Sequence, residues 1–348
     1  MNEVFVDAMR TEASVVLPLA TPSVDCYPQH AYHLSVMELQ PESRGWLYTN
    51  YIHLSAFPAP ETGEMFFFDF FVPDVEKHFN PWLSVQKIHR DSFGLLCADP
   101  VEAFRGFIRS GEYIKAPLDE FHVPGSDAQG RVHYPHPSLL HGFDDRSERF
   151  HFCGYLGARY ARSTIGYDDL RRAWAGLRDC GPPDYPHLFL VRPHCHWPFP
   201  FDPAAVRDAL EEYLASRNPM LRVRHMLSPV AAEYGVAAQA AFDDYARAVA
   251  AGQAKSNVLP SHLLYEHKRM MARRIEDMIA RGAIAARDFA ERAATLEALG
   301  FKLRAEYLKL HRRSGPRSAD LVLKLSEKLR IHERALLTET IRALETAE

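Results

Sequence analysis

The sequence predicts a mixed α/β (α+β) domain over residues 1–200, followed by a large all-helical extension over residues 201–348. Three observations carry this expectation. Of the 24 prolines, 22 lie at or before Pro229, and every tryptophan and cysteine precedes Pro198. The first 200 residues break into short apolar runs cut by Pro and Gly, as strands and short helices do. Beyond about Phe201, apolar residues recur at helical spacing instead. Charge divides the same way: residues 230–348 carry 20 Lys and Arg against 16 Asp and Glu, so the preceding part is net −8 in a chain of net −4.

In the first part, strands are expected over Met65–Val72, Glu112–Val123, Ser138–His141, Arg149–Cys153 and His187–Cys195. Helices are expected over Gln29–Leu39, Pro100–Ser110 and Tyr167–Trp174. Pro28 opens the first of these, because a helix's first position needs no amide hydrogen. Asp168 and Asp169 sit in the first turn of the third, where negative charge is favourable. In the second part, Asp202-Pro203 opens a helix to about Arg217, with Val206, Leu210, Tyr213 and Leu214 on one face. Further helices are expected over Val230–Ala250 and His262–Arg281. Phe289, Ala293, Leu296, Leu299, Leu303, Tyr307 and Leu310 make one apolar stripe, and Val322, Leu325, Leu329, His332 and Leu336 make another. Gly315-Pro316 between them predicts an antiparallel helix hairpin.

Several function classes are excluded. A net charge of −4 gives no field to dominate nucleic-acid binding. The most concentrated apolar patch, residues 65–72, is too short to span a bilayer and contains Asp69. The N-terminus lacks a basic region followed by a continuous apolar one, so no secretory signal is expected. Five unevenly spaced cysteines predict a reduced, cytoplasmic chain.

Cys26 is the first candidate for chemistry. It sits in Asp25-Cys26-Tyr27-Pro28, directly before a predicted helix, where backbone amides and the helix dipole favour a thiolate and can hold an oxyanion. The bland alternative is a small buried hydrophobe. His136 is its natural partner, in His133-Tyr-Pro-His136-Pro-Ser-Leu-Leu-His141-Gly-Phe-Asp-Asp145. With a hairpin centred on Asp144-Asp145, residue 140 faces 149 and His136 faces Cys153. Papain-like enzymes place a base and its orienter on neighbouring strands in this way, but Cys153 cannot act as a carboxylate. Asp144, up to ~26 Å from His136 along extended chain, is a turn residue. Asp119 is the candidate to replace the missing orienter or to bind a substrate amine; a strand-end carboxylate at a turn is the equal alternative. His194-Cys195-His196 and the pair His30/His33 match no closed zinc motif, so neither a metal nor a cofactor is expected. Glu266-His267-Lys268-Arg269 with Arg273, Arg274 and Arg281 reads as a basic helix face, solvated or docking an acidic partner.

The run Leu118-Asp-Glu-Phe-His-Val-Pro124, with His136 six residues before Gly142-Phe-Asp-Asp145, resembles the N-terminal domain of the butirosin acyltransferase family. This is a papain-like group related to bacteriocin-processing cysteine peptidases. Cys26 matches the nucleophile position, followed by Trp46-Leu-Tyr-Thr-Asn-Tyr-Ile52. Tyr234-Gly-Val236 and the stretch Glu266-His267-Lys268 to Met271 resemble relatives associated with nonribosomal peptide and polyketide synthases. The likeness covers roughly residues 15–280. It implies a papain-like cysteine-protease fold with a helical extension, and amide formation from a carrier-bound acyl thioester through Cys26 and His136, with Asp119 as the candidate third residue from its place in the chain. The implied partners are an acyl or peptidyl carrier protein and an amine acceptor, with no membrane or nucleic acid. A homodimer through the C-terminal helices is a further expectation. The sequence also leaves open a thioesterase or peptidase using the same pair, and a non-catalytic papain-like scaffold. Cys153, where the wider family has Asp, is the main departure.

Overall fold

The computed structural model describes residues 12–57, 66–71, 80–157, 159–180, 186–195, 197, 199–225, 228–286, 288–313 and 316–345. The chain is mixed α/β with antiparallel sheets and a helical C-terminal region. It divides into two compact units, one of residues 1–43 and 74–198, the other of residues 44–73 and 199–348. Residues 44–73, which the sequence places with the N-terminal domain, belong to the helical unit. No helix among the described residues is long and apolar enough to cross a membrane.

The first unit is built on a seven-stranded antiparallel sheet. Its strands are β1 (Ser14–Val16), β4 (Leu83–His89), β5 (Tyr113–Asp119), β6 (Pro135–Asp144), β7 (Arg149–Leu156), β8 (Arg159–Gly166) and β9 (His187–Pro193), in the order β4-β9-β5-β6-β7-β8, with β1 also on β6. β2 (His53–Phe57), β3 (Phe67–Phe71) and β10 (Glu233–Tyr234) lie in the second unit. All seven residues of β5 are buried, so this central strand is covered on both faces. One cover is helix α1 (Pro28–Met37), which packs on β4, β6, β7 and β9. Eight consecutive α1 residues, His30 to Met37, are buried. Helices α4 (Pro100–Arg109) and α5 (Tyr167–Gly176) pack on β5 and β6 and on each other. Phe104 and Trp174 meet edge-on at 5.6 Å between them, and Phe104 reaches Phe150 of β7.

The β6–β7 register differs from expectation. Asp144 pairs with Arg149 and Leu139, not His136, lies opposite Cys153. Two local causes account for the slip. The Asp144 carboxylate accepts from Arg146 N and Ser147 Oγ, which with Glu148 at φ 51° makes a four-residue turn. A bulge between Leu140 and Gly142 then adds one residue to β6. Gly142 is needed there, since a Cβ would lie 2.8 Å from Val15 O on β1.

His141, at this bulge, makes a pH-dependent contribution. Its Nδ1 lies 3.1 Å from Leu17 O, and burial holds its pKa down at about 4, against a raising effect of that contact. The unfolded chain takes up this proton near 6.5. Its stability contribution is therefore full above pH 6.5 and is lost as pH falls from 6.5 toward 4, by about 3 kcal/mol. Urea midpoints measured across that range are expected to fall, and less steeply in His141→Gln. Equal slopes would contradict this assignment.

In the second unit, β2 (His53–Phe57), β3 (Phe67–Phe71) and β10 (Glu233–Tyr234) form a small antiparallel sheet in the order β10-β2-β3. It is preceded by helix α2 (Arg44–Asn50); the short α3 (Arg90–Leu96) belongs to the first unit. The other helices are α6 (Pro203–Leu214), α7 (Gly235–Ala250), α8 (Leu259–Ala280), α9 (Phe289–Arg312) and α10 (Pro316–Glu345). The phenylalanine-rich strand β3 packs into this helical layer, with Phe68 on Phe242 and Phe70 on His267. Gly235 opens α7 at φ +57°, and a Cβ there would stand 2.2 Å from Tyr213 O, so no other residue fits. All seven stripe residues of α9 are buried. His332 Nε2 meets Arg292 O at 2.8 Å, and Arg292 pairs with Glu339 at 2.5 Å. Early α9 thus lies against late α10, an antiparallel pair. Of the expected break, Gly315 lies outside the described residues.

The basic face expected on α8 is partly interior. Lys268, His267 and Arg274 are fully buried. Lys268 Nζ lies 2.7 and 2.8 Å from the two carboxylate oxygens of Glu333 on α10. Glu333 also accepts from Tyr213 and Gln239. Arg274 donates to the carbonyls of Tyr48 and Tyr51 at 2.6 and 2.5 Å. Gly300 of α9 allows this close approach, since a Cβ there would touch Lys268 Cβ at 3.0 Å. These cations join elements instead of forming a surface, and Arg273 and Arg281 remain the exposed ones.

Candidate active site

Cys26 lies two residues before α1, and the intervening Tyr27 is that helix's N-cap in an extended conformation (φ −130°, ψ 148°) with no side-chain cap. Pro28 pre-sets the first turn without needing a partner. The thiol is buried, with 3% of the residue exposed. Two tyrosines fasten α1 over the sheet: Tyr32 donates to Pro137 O at 2.7 Å, and Ser35 Oγ lies 2.8 Å from Tyr160 OH.

His136 stands near the start of β6, one residue before that Pro137 anchor. Its Nδ1 lies 3.0 Å from Glu120 Oε1, both side chains being largely buried. Ser126 donates to Glu120's other oxygen at 2.7 Å, and Glu120 N donates to Tyr134 O. The carboxylate that faces His136 is therefore held from both ends. Tyr134 stacks on the His136 ring at 5.9 Å, and Tyr155 meets it edge-on at the same distance. The Tyr155 hydroxyl donates to Asp25 O at 2.6 Å. Tyr155 thus touches both the histidine and the residue preceding the cysteine. Glu120, Tyr134, His136 and Tyr155, with Asp127, Ala128 and Val132, line an open concavity of about 400 Å³, whose lining does not include Cys26.

With Nδ1 directed at a carboxylate, His136 is held in the tautomer that leaves Nε2 as the nitrogen able to take up a proton. The carboxylate that does this is Glu120. Asp119, the sequence candidate, is fully buried and turned elsewhere: its Oδ2 lies 2.6 Å from His133 Nδ1, and its Oδ1 accepts from Phe121 N and Tyr134 N at 3.1 Å each. β5 ends at Asp119, which caps the short turn Glu120–His122 that follows, so the two acids leave the chain in different directions and serve different histidines. The sequence signal for Glu120 was its place one residue after a strand-end aspartate in Asp119-Glu120-Phe121-His122. Choosing between the two acids required the β5–β6 register, in which Leu118 faces His136.

Cys153 is fully buried opposite Leu139 and Arg162. Burial pushes its thiol pKa up, opposed by Tyr160 and Arg162. Cys180, beside Asp119, is raised to about 11, by burial first and then by the Asp119 charge. Of the residues screened for metal binding, His33 is a helix residue whose Nδ1 contacts Gln29 O, and His196 lies outside the described residues. The ligand atoms of Asp119, His122 and His133, in contrast, all lie within 4.8 Å of one another.

Comparison with protein-family models gives no match, and neither does comparison with curated proteins.

Proposed function

We propose that the first unit is a papain-like cysteine acyltransferase, in which Cys26 takes an acyl group from a carrier-bound thioester and passes it to an amine. The observation that carries this reading is the His136–Glu120 pair, joined through Tyr155 to the chain segment that presents Cys26 at a helix N-terminus. His136 Nε2 removes the thiol proton, and the thiolate adds to the thioester carbonyl. The tetrahedral intermediate expels the carrier thiolate, which takes the proton back from His136. The acceptor amine then attacks the acyl-enzyme, His136 receives the amine proton, and Cys26 leaves as thiolate. Backbone amides at the start of α1 suit the developing oxyanion. Glu120 is a positioning residue, holding the base in the correct tautomer. A thiolate nucleophile suits thioester exchange because donor and intermediate are close in energy, and the amine drives the second step. Water in place of the amine would make the same pair a thioesterase or peptidase.

The 3% exposure of Cys26 is the observation favouring the other reading, a papain-like scaffold without catalysis. Iodoacetamide labelling separates the two. An ordinary thiol is under about 1% ionised at pH 6, so fast labelling of Cys26 there reports activation. His136→Ala and Glu120→Gln are expected to slow labelling at pH 6 by at least about tenfold. An inert Cys26, or equal rates in all three proteins, would overturn the catalytic reading.

A further inference from the structure

We propose that Asp119, His122 and His133 form a site for one zinc-class transition-metal ion, separate from the Cys26 chemistry. Three ligand atoms, one each from Asp119, His122 and His133, already lie within 4.8 Å of one another. Two imidazoles and one carboxylate, with a fourth position open to water, are the donor set of an open zinc site and select zinc over calcium or magnesium.

The surroundings are arranged as outer-shell support for a ligand. Asp119 is fully buried, and its Oδ1 is occupied by the amides of Phe121 and Tyr134. That orients Oδ2 toward His133, much as backbone amides orient metal-bound carboxylates. The His133 ring is held by stacking on Phe121, with centroids 4.4 Å apart. His133 is exposed and His122 half-buried, which leaves an entry path from solvent. Gly176 supplies the space: a Cβ there would lie 2.5 Å from Asp119 Oδ2 and 3.3 Å from His122 Cδ2. Its φ is not among the positive ones, so the backbone does not demand glycine in this helix; the room beside Oδ2 does.

On binding, the His133 proton moves from Nδ1 to the other ring nitrogen by exchange with solvent, so that the neutral imidazole meets the ion through Nδ1. The 2.6 Å contact opens to about 3.4 Å, the edge of a tetrahedron with bonds of ~2.1 Å. The metal would fix the Glu120–His122 turn.

The test uses the full-length chain, stripped with chelator and reloaded with Zn²⁺ or Co²⁺. One Zn²⁺ per chain is expected by elemental analysis. The His122→Ala/His133→Ala pair is expected to weaken binding at least about 100-fold. The Co²⁺ form of the unaltered protein should show the visible d–d bands of a four-coordinate nitrogen–oxygen site, which the double-histidine variant loses. Gly176→Ala removes no ligand and should still block loading. No stoichiometric metal, or unchanged affinity in the double-histidine variant, would overturn the site. A thiolate-to-Co²⁺ charge-transfer band would place the ion on a cysteine and overturn it equally.

Discussion

Cys26→Ala is expected to abolish enzyme-dependent thiol release from acyl-pantetheine thioesters, a loss of at least about 10³-fold in kcat. In the proposed mechanism Cys26 forms the covalent bond, so no neighbour can substitute for it. His136→Ala should cost nearly as much, and the double variant little more, because residues acting as one unit are not additive. Glu120→Gln should fall less, since it keeps an acceptor beside His136 Nδ1 and loses only the charge. The comparison runs over a panel of acyl- and aminoacyl-pantetheine thioesters with hydroxylamine as acceptor. Turnover of any of them by Cys26→Ala at the unaltered rate would remove Cys26 from the mechanism.

Lys268→Met is expected to destabilise the helical unit by about 3–5 kcal/mol, the cost of leaving a buried carboxylate without its cation. Glu333 is 1% exposed and accepts from Lys268, Tyr213 and Gln239, so it has no route to water. Such a loss is a large fraction of the ~5–15 kcal/mol that stabilises a typical domain. In Lys268→Met/Glu333→Leu both charges are gone and most of the stability should return, apart from the hydrogen bonds that Tyr213 and Gln239 gave to Glu333. Urea midpoints of the single and double variants check this. A single variant as stable as the parent would show that Glu333 is protonated or solvated, contrary to the packing described.

The same residues show what the sequence could and could not convey. The stripes of α9 and α10 were legible because burial follows directly from a 3.6-residue period, and every expected α9 position is buried. Lys268 and Arg274 were read as surface cations because such residues are almost never buried unless paired. Their partners, Glu333 and the carbonyls of Tyr48 and Tyr51, lie 65 and more than 220 residues away. The elements around Cys26 and His136 were legible from Pro28 and Pro137, whose restrictions act locally. The β6–β7 register was not, because it turns on the Asp144 side chain closing the turn and on a bulge marked in the sequence by Gly142 alone. Glu120 stayed hidden for a related reason. It and Asp119 are equivalent as acids, and only the course of the chain from β5 into its terminal turn assigns each to its histidine.

The most direct test of acyl transfer at Cys26 is the intact mass of the protein, quenched in acid at early times after mixing with an acyl-pantetheine thioester and no amine. The expected spectrum shows one added acyl group, mapped by peptide sequencing to Cys26, and lost on addition of hydroxylamine. Release of the acyl group with no adduct at any time, or an adduct that persists unchanged in Cys26→Ala, would contradict it.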